Sequence, residues 1–70
     1  MNYAATIEAT LKNAEAEYEH HSHIEMALEN AEDSWIQGDR IEDTLEEQMM
    51  MYVEGYLDSV DRTDLIKVVK

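Results

Sequence analysis

The chain has 70 residues, and a chain this short is expected to form one domain near the size limit for folding around a single core. Its 17 Asp and Glu against 5 Lys and Arg give a formal net charge of −12, which argues against nucleic acid and anionic membranes as direct partners. It has no cysteine and no apolar run of about 20 residues, which excludes a disulfide-stapled domain and a membrane span.

Helical periodicity dominates the sequence, which contains no proline and only two glycines. We therefore predict an all-α fold, a small bundle of three to four helices in a single domain over residues 1–70. The predicted helices cover residues 3–20, 23–37, 40–59 and 62–69. The last of them is short and is permitted by Asp61 and Asp64, both of which are good cap residues.

The first two predicted helices each carry one apolar stripe at helical spacing. The stripes consist of Ile7, Leu11, Ala14 and Tyr18, and of Ile24, Leu28, Ala31 and Trp35. The second stripe is rotated by roughly 100° from the first, so one straight helix cannot bury both against the same neighbour. We predict a break near residues 20–23, with Ser22 as N-cap and Glu25 completing a capping box. One long curved helix is the alternative.

The third predicted helix follows a turn at Gly38, because glycine tolerates the positive φ found just after a helix. Asp39 and Glu42 offer a cap pair for its start. Its core stripe is predicted to contain Ile41, Leu45, Met49, Tyr52, Val53, Tyr56, Leu57 and Val60. Gly55 lies inside this helix, where it costs about 1 kcal/mol relative to alanine unless close packing requires it.

A histidine cluster, His20, His21 and His23, lies at the predicted end of the first helix. With Glu17 it contains a Glu-x-x-His pair like those of di-iron helical bundles, so these four residues are the candidate metal ligands. Such sites project inward, whereas on an ideal helix Glu17 and His20 point away from the apolar stripe. We therefore expect no metal and no cofactor. The cluster is instead interpreted as a solvated helix end, where the dipole favours imidazolium.

No catalytic constellation is found in the sequence. Ser22 lies between His21 and His23, but adjacent residues do not face one another as a nucleophile and its base must. No Gly-rich phosphate loop, Walker pattern or dinucleotide fingerprint occurs. We expect the protein not to be an enzyme.

Acidic residues form faces without compensating bases on the second and third predicted helices. On the second they are Glu25, Glu29 and Glu32, and on the third Asp43, Glu46, Glu47, Glu54 and Asp58. Acids three or four positions apart on a helix are about 5 to 6 Å apart along its axis, a spacing of the same scale as successive phosphates of one nucleic-acid strand. These faces therefore predict a phosphate-like charge array. The alternative is a surface that only keeps the protein in solution.

The methionines of the third helix add an apolar element to this surface. Met49 belongs to the predicted core stripe, whereas Met50 and Met51 are predicted to project to the opposite side, among the acids. Adaptable apolar side chains surrounded by acids predict a docking surface. The alternative is a packing face covered by the C-terminal helix or by a second copy in a homodimer.

These features together predict an acidic module that binds a basic, nucleic-acid-binding protein and occupies its basic groove as an inhibitor or modulator. In size, acidity and lack of catalytic residues, the chain resembles in kind the small DNA-mimic and anti-defence proteins of bacteriophages, which implies an anti-defence or host-takeover role. The start MNYAATIEATLKN lacks a signal-peptide pattern, so a cytoplasmic protein is expected. The alternatives are a self-associating helical adaptor or structural subunit and, third, a metal-binding helical bundle.

Overall fold

The computed structural model describes all 70 residues and contains three α-helices and no β-strand. Helix α1 covers Tyr3–Asn13, α2 covers Tyr18–Ile36 and α3 covers Leu45–Ser59, and a 3₁₀ turn follows at Thr63–Leu65. The radius of gyration is 11.3 Å, against about 11 Å for a compact chain of this length. The predicted all-helical bundle is confirmed with three helices. None of them combines the length and the apolar character that crossing a membrane demands.

The break between α1 and α2 lies at residues 14–17, and the prediction of a break near residues 20–23 is wrong. Ile7 and Leu11 lie in α1 and the whole second stripe lies in α2, as the rotation predicted, whereas Tyr18, which was placed in the first stripe, is the first residue of α2. Ser22, the predicted N-cap, lies inside α2 and caps nothing. The residue at the true N-cap is Glu17, whose side chain makes no capping hydrogen bond. The break therefore has no local capping signal in the sequence.

The end of α2 confirms the role predicted for Gly38. This glycine has a φ of +94°, a left-handed conformation that side chains with a Cβ rarely adopt. Its amide bonds to the carbonyl of Trp35 at 3.1 Å, and the next amide, that of Asp39, reaches the carbonyl of Ser34 at 2.9 Å. These two bonds form a Schellman motif, which satisfies carbonyls that the end of a helix leaves free.

Helix α3 begins at Leu45, later than predicted, because Thr44 and not Asp39 is its N-cap. The hydroxyl of Thr44 accepts from the amide of Glu47 at 3.2 Å and lies 3.4 Å from its carboxylate. Residues 40–44 form an irregular connection. Gln48 holds it in place: its side chain is fully buried, donates to the carbonyl of Asp39 at 2.9 Å and accepts from the amide of Ile41 at 2.9 Å.

The core lies where α3 packs against the other elements. Its buried apolar residues are Ile7, Ala14, Ile24, Met50, Val53, Leu57 and Leu65. Leu57 is buried as predicted, whereas Ile41 and Val60, which were also placed in the stripe, are 65% and 37% exposed. Ile41 precedes the first residue of α3 and Val60 follows the last, so neither is held on the buried helical face.

The predicted fourth helix is wrong beyond the 3₁₀ turn, because residues 66–70 are not helical. This segment, the C-terminal tail, instead lies against α1. The amide of Lys67 donates to the hydroxyl of Thr10 at 3.0 Å, and the amide of Val69 donates to that of Thr6 at 2.9 Å. The side chain of Asn13 donates to the carbonyl of Leu65 at 3.0 Å. Polar side chains on one face of α1 therefore satisfy the backbone of the tail.

Candidate functional site

The histidine cluster lies in the first turns of α2, where it packs against the end of α3. The Nδ1 atom of His20 is 2.8 Å from the hydroxyl of Tyr56, and the ring of His23 stacks on the Tyr56 ring at a centroid distance of 5.3 Å. Burial raises the pKa of Tyr56, which keeps its hydroxyl protonated. The expectation that the cluster lies at the C-terminal end of the first helix is wrong, because all three histidines lie in the first turns of α2.

Glu17, the carboxylate predicted beside His20 as a metal ligand, is engaged by Arg62. The guanidinium of Arg62 donates to both Glu17 oxygens and reaches Asp64 at 3.0 and 3.1 Å. These hydrogen bonds hold the pKa of both carboxyls below their ordinary values. His21 lies 3.2 Å from Glu25. No group of three His, Asp or Glu side chains is arranged to hold a metal ion.

A stripe of acidic residues and one methionine follows one face of α3. Glu47, Met51, Glu54 and Asp58 are spaced by three or four residues, so they align along the helix, and we call them the α3 stripe. Glu54 and Asp58 are exposed, whereas Glu47 and Met51 are half-buried. All four were predicted to contribute to the binding surface.

Two adjoining shallow depressions border the α3 stripe and share Met51 and Glu54. The first depression, with a volume of about 170 Å³, is lined by Tyr3, Glu42, Glu47, Met50, Met51 and Glu54. The second depression, of about 380 Å³, is lined by Met51, Glu54, Gly55, Asp58, Thr63 and Ile66. Carboxylates and methionine side chains therefore meet at the same concave surface.

The exposure predicted for Met50 is wrong. Met50 is 1% exposed and belongs to the buried cluster with Ile7, Leu57 and Leu65. It reaches that cluster because α3 buries a broad side, on which Met50, Val53 and Leu57 recur at helical spacing. The alternative of a packing face therefore holds for Met50, which is buried in the core of the single chain. Met51, by contrast, is half-buried and lines both depressions.

The acids predicted on α2 lie on a separate exposed face. Glu25, Glu29 and Glu32 share it with two exposed apolar residues, Tyr18 and Ile36, because all five recur at helical spacing. Tyr18 is 84% exposed and Ile36 78%. These three acids line neither depression of α3, and the same is true of Asp43 and Glu46, which are exposed near the start of α3.

The surface acids have almost no cationic partners within the molecule. Of the 17 acids, only Glu17 and Asp64 pair with an Arg or Lys side chain. The other arginine, Arg40, lies 4.5 Å from the centre of the Trp35 ring. The two depressions of α3 contain no base, whereas Lys12 and Lys67 line a third depression with Ala9 and Asn13. Opposite charges are therefore kept apart on this surface.

Gly55, Thr63 and Ile66 line the second depression but were not predicted to contribute to a site. Thr63 belongs to the 3₁₀ turn and Ile66 to the tail, and the prediction of a helix over residues 62–69 did not assign either of them to this surface. Gly55 did carry a signal, namely a glycine in a helix interior with no evident structural reason.

Comparisons of the chain with protein families, with curated proteins and with solved structures found no match.

Proposed function

We propose that this chain is a non-enzymatic binding module that occupies the basic groove of a nucleic-acid-handling protein and inhibits or modulates it by charge mimicry. The observation that carries this proposal is the α3 stripe, an aligned row of carboxylates beside concave surface, with no base of the same molecule pairing with them. A groove that binds phosphates is lined by Lys and Arg, whose charges complement this row.

The geometry of α3 supports a rigid array of charges. Glu47, Glu54 and Asp58 are fixed on one helix, so their order along its axis is set by a rise of 1.5 Å per residue. The helix itself is anchored by buried residues on its other side. Because the backbone that carries these carboxylates is already helical, a basic groove that closes on them does not have to order that segment of the chain.

Met51 supplies the short-range contact that charge lacks. Long-range attraction accelerates association with any basic protein, but it discriminates poorly among them. A half-buried methionine between carboxylates offers an adaptable apolar surface to a partner that is complementary in shape. The proposed partner is thus a basic protein with an apolar residue within its cationic groove.

Capture from a cell lysate on the immobilised protein tests this proposal. At low salt we expect nucleic-acid-binding proteins to be retained, and we expect added salt or added DNA to release them. The double reversal Glu54→Lys with Asp58→Lys should abolish their capture. Glu8→Lys with Glu15→Lys is the matched control, because it changes net charge equally at exposed positions outside both depressions. Equal loss with both variants would show that net charge alone acts, and the proposal would fail.

The second candidate function is a self-associating helical adaptor, and the exposed face of α2 favours it. Tyr18 and Ile36 are large apolar side chains that the fold leaves exposed at the two ends of one helix face. Sedimentation at increasing protein concentration, with salt to screen the net charge, tests for a dimer. Loss of a dimer on Tyr18→Ser with Ile36→Ser would support the adaptor. A monomer at all concentrations would exclude it.

A further inference from the structure

Gly55 lies in the middle of α3, and the fold gives no reason for a glycine there. A Cβ built on it meets no atom within 4 Å, so no neighbouring element approaches too closely for a side chain. Gly38 has a positive φ, whereas Gly55 does not, so backbone conformation does not require a glycine at position 55. A glycine in a helix interior is less stable than alanine because it loses more backbone entropy on folding. The missing side chain therefore leaves space that the folded chain itself does not use.

That space belongs to the second depression. Its volume of about 380 Å³ lies within the roughly 300 to 1,000 Å³ range of small-ligand sites. Met51 on α3 and Ile66 on the tail provide apolar surface, and both are half-buried. Glu54 and Asp58 provide two carboxylates one helical turn apart, a like-charge arrangement that destabilises the free protein. Neither carboxylate forms an ion pair within the molecule.

We infer that the second depression binds an arginine side chain of the basic partner, an inference that rests on the proposed function. The aliphatic stem lies over Gly55 between Met51 and Ile66, since arginine stems cover apolar surface while their heads stay polar. The guanidinium bridges the carboxylates of Glu54 and Asp58. Its planar fork of five donors serves two carboxylates at once, whereas the ammonium of lysine is a compact, strongly hydrated charge.

The inference makes Gly55 and Ile66 determinants of specificity, although neither carries a charge. The tail contributes Ile66 only because Thr6 and Thr10 hold it extended against α1. Any side chain at position 55 enters the space assigned to the arginine stem. Substitution of Gly55 by a residue with a side chain is therefore expected to raise stability and to weaken binding, because the side chain favours the helix and fills the site.

The test uses two peptides of equal length as probes, one of arginine and one of lysine residues, titrated at low salt against the full chain. Wild-type protein should bind the arginine peptide more tightly. Gly55→Ala should raise the melting temperature and weaken arginine-peptide binding by about threefold to tenfold, and Gly55→Leu should abolish the preference for arginine. Asn30→Ala is the control, because it favours a helix at an exposed position of α2 outside the depression. It should leave both affinities unchanged.

Three outcomes would overturn the inference in distinguishable ways. If Gly55→Ala and Gly55→Leu raise the melting temperature but leave the arginine preference intact, the site is elsewhere while the proposed function stands. Equal binding of the two peptides by wild-type protein would mean that the depression does not select a guanidinium and that the surface attracts any cationic side chain. If neither peptide binds, the proposed function and the arginine site both fail. Shifts of the Gly55 amide and of the Met51 and Ile66 methyl resonances on titration with the arginine peptide would place it in the depression.

Discussion

The backbone amide of Lys67 donates a hydrogen bond to the hydroxyl of Thr10 across 3.0 Å, and one turn earlier Thr6 accepts from the amide of Val69 at 2.9 Å. Residues four apart on a helix are separated by about 6 Å along its axis, and alternate residues of an extended chain by about 6.6 Å. The spacing of the two threonines therefore matches an extended segment. Both threonines are fully buried, so water cannot replace them.

Replacing Thr10 with valine should release the tail from α1. Valine keeps the shape of threonine but leaves the amide of Lys67 without an acceptor, which should lower the free energy of unfolding by about 1 to 3 kcal/mol. Urea denaturation measures this loss, and faster hydrogen exchange at the Lys67 amide locates it. Thr63→Val is the control, because Thr63 is exposed, and its effect should stay within about 0.5 kcal/mol. Unchanged exchange at Lys67 would mean that Thr10 does not hold the tail.

The tail could not be predicted from its own residues because its conformation is determined by α1. Leu65, Ile66, Val68 and Val69 fit a short helix as well as a strand, and only the hydroxyls of Thr6 and Thr10 select the extended form. In contrast, Gly38 marks the end of α2 locally, through its own tolerance of a positive φ, and it was predicted correctly. The signal of Gly38 could be read from the sequence, whereas the contacts of the tail with a distant helix could not.

The hydrogen bonds of Gln48 are a second example of contacts that the sequence does not reveal. Replacing Gln48 with methionine, which has nearly the same size, should therefore reduce stability markedly. Gln48→Met should remove the part-buried hydrogen bonds of the Gln48 side chain to the carbonyl of Asp39 and the amide of Ile41, which costs about 1 to 3 kcal/mol. Thermal and urea unfolding measure this loss. Gln37→Met serves as the control at an exposed position just after α2. If both substitutions cost equally little, the connection between α2 and α3 does not depend on Gln48.

The left-handed positions after α2 and α3 predict substitutions of opposite sign. Asp61 has a φ of +56° and closes α3 with the bonding pattern that Gly38 gives to α2, since the next amide, of Arg62, reaches the carbonyl of Leu57 at 2.8 Å. A Cβ in this conformation costs about 1 to 2 kcal/mol. Asp61→Gly should therefore stabilise the protein by up to about 1 kcal/mol, and Gly38→Ala should destabilise it by about 1 kcal/mol or more. Asp61→Ala removes the same charge but keeps a Cβ in this conformation, so a gain from both substitutions would point to charge.

The ion pairs of Arg62 predict a pH-dependent contribution to stability. Because Arg62 lowers the pKa of Glu17 and Asp64, their contribution is complete above the ordinary values of 4.5 and 3.8 and disappears as the pH falls through the lowered values. Arg62→Gln should lower the melting temperature at about pH 7, and its difference from wild type should vanish in strong acid. Arg40→Gln is the control, since Arg40 packs on Trp35 without a carboxylate. A difference that persists in acid would mean that Arg62 acts through packing.

The same ion pair explains why the break before α2 was misplaced. Glu17 precedes α2 without any capping hydrogen bond, and its side chain is held by Arg62, which lies 45 positions later in the chain. Ser22 and Glu25 match the capping-box pattern for a helix start, but both residues lie inside α2. The acids of the α3 stripe could be predicted from spacing alone, because residues three or four positions apart align on one face of a helix. Their neighbours Thr63 and Ile66 were not predicted, because the 3₁₀ turn and the tail bring them to α3 from a distant part of the chain.

The uncompensated acids of α2 predict that neutralising one of them stabilises the protein. Glu29 has Glu25 four residues before it, and Glu32 and Asp33 three and four residues after it, so it takes part in three repulsive pairs at helical spacing. At about 0.2 to 0.5 kcal/mol per pair, Glu29→Gln should raise the free energy of unfolding by roughly 0.5 to 1.5 kcal/mol at low salt. High salt should remove most of this gain by screening.

Glu8→Gln is the matched control on α1, where Lys12 lies four residues later, and it should give no gain. A gain in stability from Glu29→Gln, combined with loss of partner capture in the Glu54→Lys and Asp58→Lys variant, would mean that the surface acids destabilise the free protein and are needed for binding. If Glu29→Gln is neutral or destabilising at low salt, the acids do not repel one another measurably, and the surface is adequately explained as one that keeps the protein in solution.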